Sequence, residues 1–307
     1  MEVRFSQWPK VPFSIFVTSI GAYAFSGCDE LTSAVIPDSV IEIGSYAFYN
    51  CTSLTSIVIP DSVTSIGYAA FSHCTSLTSV IIPDSVTTIG SSAFYYCSKL
   101  TSVVIGNSVT TIGSSAFSSC IKLTSVTIGN SVTSIEQEAF RGCSSLTSIN
   151  IPASVTSIKT DAFVYCDSIT NVYISDIATW CNIKFYVQYS DTNYCHSNPL
   201  RYAENLYLNG SLVTDLVIPD TVTEIKDYAF YMCPSLTSVV IPDSVTSIGY
   251  CAFFNCQSIK SIKYTGTEEQ WIEISKGSHW DKYTVSNQYH QISYTITYNY
   301  SDEEIYN

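Results

Sequence analysis

The chain has 307 residues, 26 acidic against 13 basic side chains and a net charge of -13, with 46% hydrophobic and only 13% charged residues. This is a globular composition and not a disordered one. With no Lys/Arg cluster it excludes a nucleic-acid partner, which needs a basic stripe against the phosphates, and it disfavours an anionic membrane surface; no apolar run approaches the ~20 residues of a spanning helix.

At the N-terminus Arg4 and Lys10 flank the approach to an apolar run, Val11 to Val17, and Ala22-Tyr23-Ala24 follows. That is the order of parts in a signal peptide. The run is short and broken by Pro12 and Ser14, and Ala24-Phe25 belongs to the pattern that comes next. Residues 1–16 therefore read as a worn first coil.

From 17 to 174 one unit recurs. Leu54 to Cys74, LTSIVIPDSVTSIGYAAFSHC, returns as LTSVIIPDSVTTIGSSAFYYC ending at Cys97 and as LTSVVIGNSVTTIGSSAFSSC ending at Cys120. Cys28, Cys51, Cys74, Cys97, Cys120, Cys143 and Cys166 follow one another every 23 residues, and Cys233 and Cys256 resume the step. A Phe stands three residues before each, and an Ile five before the Phe. Fixed spacing of this kind predicts a repeat solenoid, in which each unit packs only on its neighbours. The expected architecture is mostly β: 23-residue coils with stacked parallel short strands, short helical turns and some irregular coils.

Within one unit, alternation around Ile57 and Ile59 is that of a strand, so Ser56 and Val58 point outward. Pro60-Asp61 makes a turn, because Pro fixes φ and Asp bonds the following backbone. Val63 to Ile66 is a second extended piece, Gly67 turns the chain, and Tyr68 to Ser72 suits a short helical turn. The inward set is Leu54, Ile57, Ile59, Val63, Ile66, Phe71 and Cys74. Each large member contributes about 1.5–3 kcal/mol when fully buried, and burial comes only from stacking.

The pattern breaks twice. Residues 175–218 read as irregular coils, with Trp180 and Ile183 in one unit, a polar surface loop near Ser190 to Pro199, and a hairpin-like piece leading back into register. Residues 219–264 are regular again. Residues 265–307 hold a second Trp unit (Trp271, Ile274) and an alternating capping strand, Ile292 to Tyr300. The whole of 1–307 is read as one solenoid, because atypical ends are expected where terminal coils cover the core.

The unit L-T-S-V-x-I-P-D-S-V-T-S-I-G-x-x-A-F-x-x-C resembles the BspA-type, or Treponema pallidum-type, leucine-rich repeat. The match covers Val17 to Ile174 and Asp215 to Tyr264 closely, and the Trp-containing breaks are similar to inserts in long members of that family. The resemblance implies a leucine-rich-repeat-like fold. It also implies a surface or secreted protein that adheres to host matrix proteins or to other cells.

Twelve cysteines invite disulfide, metal or catalytic readings. Nine of them share one repeat position, where a free Cys acts as a small hydrophobe; bonds between adjacent coils are the alternative. Cys195-His196 has the residue types of a nucleophile and base but no evident third group to orient them. Asp38, Asp61, Asp84, Asn107, Asn130, Asp220 and Asp243 form a row of turn residues; stacked carboxylates suit Ca²⁺, but single Asp residues after Pro are simpler as turn chemistry. The four histidines and the pairs Glu268-Glu269 and Asp302-Glu303 show no catalytic spacing. No cofactor and no metal is implied.

The outward strand rows are the candidate working surface. One row is Ser56, Ser79, Ser102, Ser125, Ser148 and Asn171. The next is Val58, Ile81, Val104, Thr127, Asn150 and Tyr173, preceded by Val35. An exposed aliphatic stripe points to a partner, although β-branched residues also favour strands on their own account. Tyr186, Tyr189 and Tyr194 near the polar loop are a second contact site, since loops on rigid scaffolds carry function. The expectation is a non-enzymatic, adhesin-like binder of protein or glycoprotein, surface-bound or secreted, with self-association through the apolar face as a further partner mode. The alternatives are an intracellular repeat scaffold, or a carbohydrate-binding module or enzyme using residues 175–218.

Overall fold

The computed structural model describes residues 2–3, 17–187, 195–285 and 288–301. Each repeat unit closes into one coil with three sides. The first side is a front strand, and these strands align in parallel with Ser33 beside Ser56, Ser79 beside Ser102, and Ser102 beside Ser125. Farther along, Ser148 lies beside Asn171, Asn171 beside Asn205, Asp215 beside Ser238 and Ser238 beside Ser261. Glu2–Val3 adds a parallel strand against Ser33–Ala34, and Thr295–Thr297 adds one against Ser261–Lys263.

The second side is a back ladder of two-residue strands. Eight of them run in parallel from Ser19–Ile20 to Lys184–Phe185. Glu224–Ile225, Ser247–Ile248 and Ser275–Lys276 form a further parallel group. Both Trp units thus return to register on the back ladder, Lys184 beside Ser157 and Ser275 beside Ser247. Between front and back, the Pro-Asp turn of a regular coil is replaced by a short helix: α1 (Ile177–Cys181) in the first break and α2 (Glu268–Glu273) in the second.

The third side is where a short helical turn is expected. It is built as consecutive turns, Ala70 N–H to Gly67 O, Ser72 N–H to Ala69 O and Cys74 N–H to Phe71 O. The intervening amides donate to the next coil instead: Ala69 N–H to Ser91 O, Phe71 N–H to Ala93 O and His73 N–H to Tyr95 O. Alternating the two directions requires left-handed residues at Ala69 and His73, and the same places hold Tyr46 and Asn50, or Ser92 and Tyr96, in other coils. A continuous helix would direct all of its amides along itself and leave the coils unjoined on this side. Gly67 serves close approach, not a special φ: a Cβ there would sit 2.6 Å from the Ser45 nitrogen of the preceding coil.

The interior is one continuous apolar column. Phe25, Phe48, Phe71, Phe94, Phe117, Phe140 and Phe163 stack ring on ring, 5.1 to 5.6 Å between centroids. The expected inward set of the second unit, Leu54 to Cys74, is buried throughout.

The hydroxyls of the repeat are spent on joining coils. Thr55, Thr78, Thr101 and Thr124 each donate to the Thr carbonyl one coil back, at 2.9 to 3.3 Å. Ser62 and Ser85 donate to Val40 and Val63 at 2.6 and 2.7 Å. The Thr carbonyls also accept the next coil's Thr N–H, so each hydroxyl adds a second bond at the exposed rim of the coils.

Candidate functional site: the front-ladder trough

Once Thr and Ser at these positions are committed to neighbouring coils, few side chains per unit remain outward. On the front ladder Ser56, Val58, Ser79, Ile81, Ser125, Thr127 and Asn150 are exposed, while Ser102, Ser148, Asn171 and Tyr173 are half-buried. The aliphatic row is the least expected on energetic grounds: Val35, Val58, Ile81 and Val104 expose 55, 72, 66 and 41% of their surface. At about 25 cal/mol per Å², that row leaves stabilisation unclaimed until something covers it.

Ser56, Val58, Ser79, Ile81, Val104, Thr127 and Asn150 line a shallow trough of about 730 Å³. Sequence reasoning placed Asp61, Asp84, Asn107 and Asn130 apart from it, as turn chemistry. The structure brings them to the same trough. The signal was available, because Asp61 follows Val58 by three residues, and Asp84, Asn107 and Asn130 follow Ile81, Val104 and Thr127 at the same spacing. They also join coils instead of bonding within their own turns: Asp84 accepts from the Asn107 backbone amide at 2.6 Å, and Asn107 from the Asn130 backbone amide at 3.1 Å, each twenty-three residues on. Each such bond uses one lone pair and leaves the rest of the carboxylate or amide toward the trough.

Past Ile149 the face changes character. Tyr173 stacks on Tyr207 of the next front strand at 4.9 Å, and Asn205 donates to the Asn171 side chain at 3.1 Å. The outward rows at this end are therefore partly occupied with each other.

The second candidate site is only partly placed. Tyr186 carries Lys159 over its ring at 3.9 Å and Lys184 at 4.7 Å. Hydrogen bonding to these two ammonium groups lowers the Tyr186 pKa. Tyr189 and Tyr194 lie outside the described residues.

The cysteines are free thiols, and Cys51 to Cys256 are buried. Most of the ladder thiols donate to a Phe carbonyl of the coil before, as Cys74 to Phe48, Cys97 to Phe71 and Cys120 to Phe94 at 3.2 to 3.3 Å, whereas Cys233 meets the Ser235 hydroxyl. Burial pushes Cys51 and Cys120 up to about 12, and Cys97, Cys143 and Cys256 well above the ordinary thiol range. A thiol held protonated is neither nucleophile nor metal ligand.

Cys195 and His196 are not a dyad. Cys195 is buried against the Ser197 hydroxyl at 3.3 Å and pushed up by burial to about 11, whereas His196 Nδ1 meets the Tyr202 hydroxyl at 2.8 Å. Among the described residues, no three His, Cys, Asp or Glu side chains gather as a metal site would require.

The family model of the BspA-type leucine-rich repeat region matches the chain in overlapping stretches, residues 18–143, 67–193, 110–230 and 200–301. Among solved structures, a leucine-rich cell surface protein from Faecalibacterium prausnitzii A2-165 is 31% identical, covering 84% of this chain and 86% of its own, with a TM-score of 0.41. A leucine-rich repeat protein from Bacteroides ovatus ATCC 8483 is 25% identical over 92% of this chain and 78% of its own, TM-score 0.43. The T. pallidum leucine-rich repeat protein is 22% identical over 78% and 82%, TM-score 0.36. No curated protein matches the sequence.

Proposed function

The chain belongs to the BspA-type leucine-rich repeat family, and from that premise we propose that it is a non-enzymatic, adhesin-like interaction protein that holds a protein or glycoprotein against the outward rows of its front ladder. The family and fold are those of repeat binding proteins. The observation that carries the reading is the exposed aliphatic row Val35, Val58, Ile81 and Val104, of which the last three line a trough. It is held by three hydrogen-bonded sides per coil, so the surface is preformed and little ordering is lost on binding. Many weak contacts along one rigid row then add up, each coil contributing a Ser and an aliphatic or polar side chain. Family membership supports display at the cell surface or secretion.

The test is capture from extracts of candidate partner cells with the native chain beside Val58→Lys/Val104→Lys. Two lysines in the floor abolish capture of the native set if the ladder face is the contact surface; equal capture by both overturns it. Protease treatment of intact cells tests display: removal of the protein is expected, and full protection refutes it.

A further inference from the structure

The occupant of the trough can be narrowed by charge, on the reading just given that the ladder face is a contact surface. We propose that its aliphatic half binds a cationic, apolar protein segment. Leucine-like side chains seat on Val58, Ile81 and Val104, and lysine or arginine side chains reach the carboxylates of Asp61 and Asp84.

Three observations converge. The floor is aliphatic, and the carboxylates of Asp61 and Asp84 line the same trough. From Val17 to Ser98 the chain has no Lys or Arg, while it carries Asp29, Glu30, Asp38, Glu42, Asp61 and Asp84. In the two coils that bear the most exposed aliphatic side chains, Val58 and Ile81, the only formally charged residues from Leu54 to Ser98 are Asp61 and Asp84. Such a field steers positive partners inward and rejects negative ones.

The competing occupants fit less well. A second copy laid face to face would bring two acidic rows together in a protein of net charge -13, and like charges in juxtaposition are costly. Sugar rings prefer aromatic faces, and Val58, Ile81 and Val104 offer none. A basic-apolar protein segment satisfies floor and wall at once: burial covers the stripe, and partial desolvation strengthens the ion pairs beside it.

The test uses three fluorescein-labelled synthetic peptides of equal length, alternating Lys/Leu, Glu/Leu and Lys/Ser, titrated with the full chain and followed by fluorescence anisotropy. The Lys/Leu peptide binds at least about tenfold more tightly than either other, and its affinity falls as salt screens the pairs. Asp61→Asn/Asp84→Asn weakens it about five- to tenfold, as two partly desolvated pairs would, and Val58→Ser/Ile81→Ser weakens it by a similar factor. Glu138→Gln/Asp161→Asn, on the third side of the coils, leaves it unchanged. Far-UV circular dichroism and urea midpoints certify that each variant is folded.

Equal or tighter binding of Glu/Leu overturns the proposal. So does Lys/Leu binding that survives both trough variants, which is adsorption elsewhere on an acidic chain. A dimer in sedimentation that Val58→Lys dissolves also overturns it, in favour of a second copy. If Lys/Leu fails to bind while Val58→Lys/Val104→Lys abolishes capture of native partners, the cationic occupant is wrong and the contact surface stands.

Discussion

The regular coils from 17 to 174 and the break from 175 to 218 close the same core by different means. In the regular coils every contact is a column. The Phe rings stack on copies of themselves, the thiols from Cys51 to Cys166 meet Phe carbonyls, and Thr55, Thr78, Thr101 and Thr124 donate to the Thr carbonyl of the coil before. In the break, single residues do what columns do elsewhere. Trp180 is fully buried and donates from its indole to Ala229 O at 2.8 Å, forty-nine residues along the chain. Asn198 is buried too; its amide reaches Tyr228 O at 2.7 Å and its carbonyl accepts from Leu200 N–H at 2.9 Å. A column spreads a loss over neighbours of the same kind. A singular contact has no substitute, but it allows chain length and path to vary; of the surface loop expected near Ser190 to Pro199, the described part departs from expectation, with Cys195, Ser197, Asn198 and Pro199 buried.

The largest expected effect is on the column of thiols. Their pKa values are raised in the folded state because burial disfavours the thiolate. Below about pH 9 both states keep the proton and stability is unaffected. As pH rises from about 9, the unfolded chain loses protons that the folded chain retains. Stability then falls with pH, and the contribution of Cys120 is gone near 12, where it titrates in the folded chain. The limit is about 1.4 kcal/mol per pH unit for each thiol, and several act together. Urea midpoints at pH 8 and pH 10.5 should therefore differ steeply. Cys97→Ala/Cys120→Ala should be less stable at pH 8 yet show a shallower decline; an unchanged slope would remove the thiols as its cause.

Next come the rings. Phe94 lies between Phe71 and Phe117 with interplanar angles of 8 and 2°. Phe94→Ala should cost about 3–5 kcal/mol in urea unfolding, the range for truncating a buried aromatic. A loss under 1 kcal/mol would mean that the column collapses into the gap. In the break, Asn198→Ala strips the Leu200 amide of its buried partner and takes one of two donors from the Tyr228 carbonyl, which keeps the Tyr231 N–H, for about 1–3 kcal/mol. Hydrogen exchange should localise the damage to the residues around 195–203 and 228–229; spread of the effect to 100–120 would show that the two regions do not differ as argued.

The sequence made the fold legible because the period does so: fixed Phe, Ile and Cys positions cannot be satisfied by any arrangement but stacking. What it left dark are relations between coils. Ser62 looks like turn chemistry, yet its hydroxyl bonds Val40 O twenty-two residues earlier. The left-handed backbone at Tyr46 and His73 has no glycine to announce it; cross-coil amide bonds impose it. Gly67 reads as a turn and is in fact a close approach. Of the trough, the floor was legible from alternation alone. The wall was not, because Asp61 after Pro60 already has a sufficient local explanation, and the second use of the same side chain appears only when coils are stacked.

The smallest expected effect is also the one that separates surface from core. Val58 is 72% exposed, whereas Ile57 beside it is 7%. Val58→Thr keeps the β-branch that suits a strand and removes only apolar surface that water already covers, so its stability should stay within about 0.5 kcal/mol of the native chain. Ile57→Thr, one residue away and pointing inward, buries a hydroxyl among Leu54 and Ile59 and should cost about 1–3 kcal/mol. Measured together by urea unfolding, the pair isolates direction from position. If Val58→Thr destabilises as Ile57→Thr does, the aliphatic row is structural and its exposure has no bearing on a partner. If only Ile57→Thr does, the fold has no need of Val58 as an apolar residue, and its side chain is free to be set by what lies in the trough.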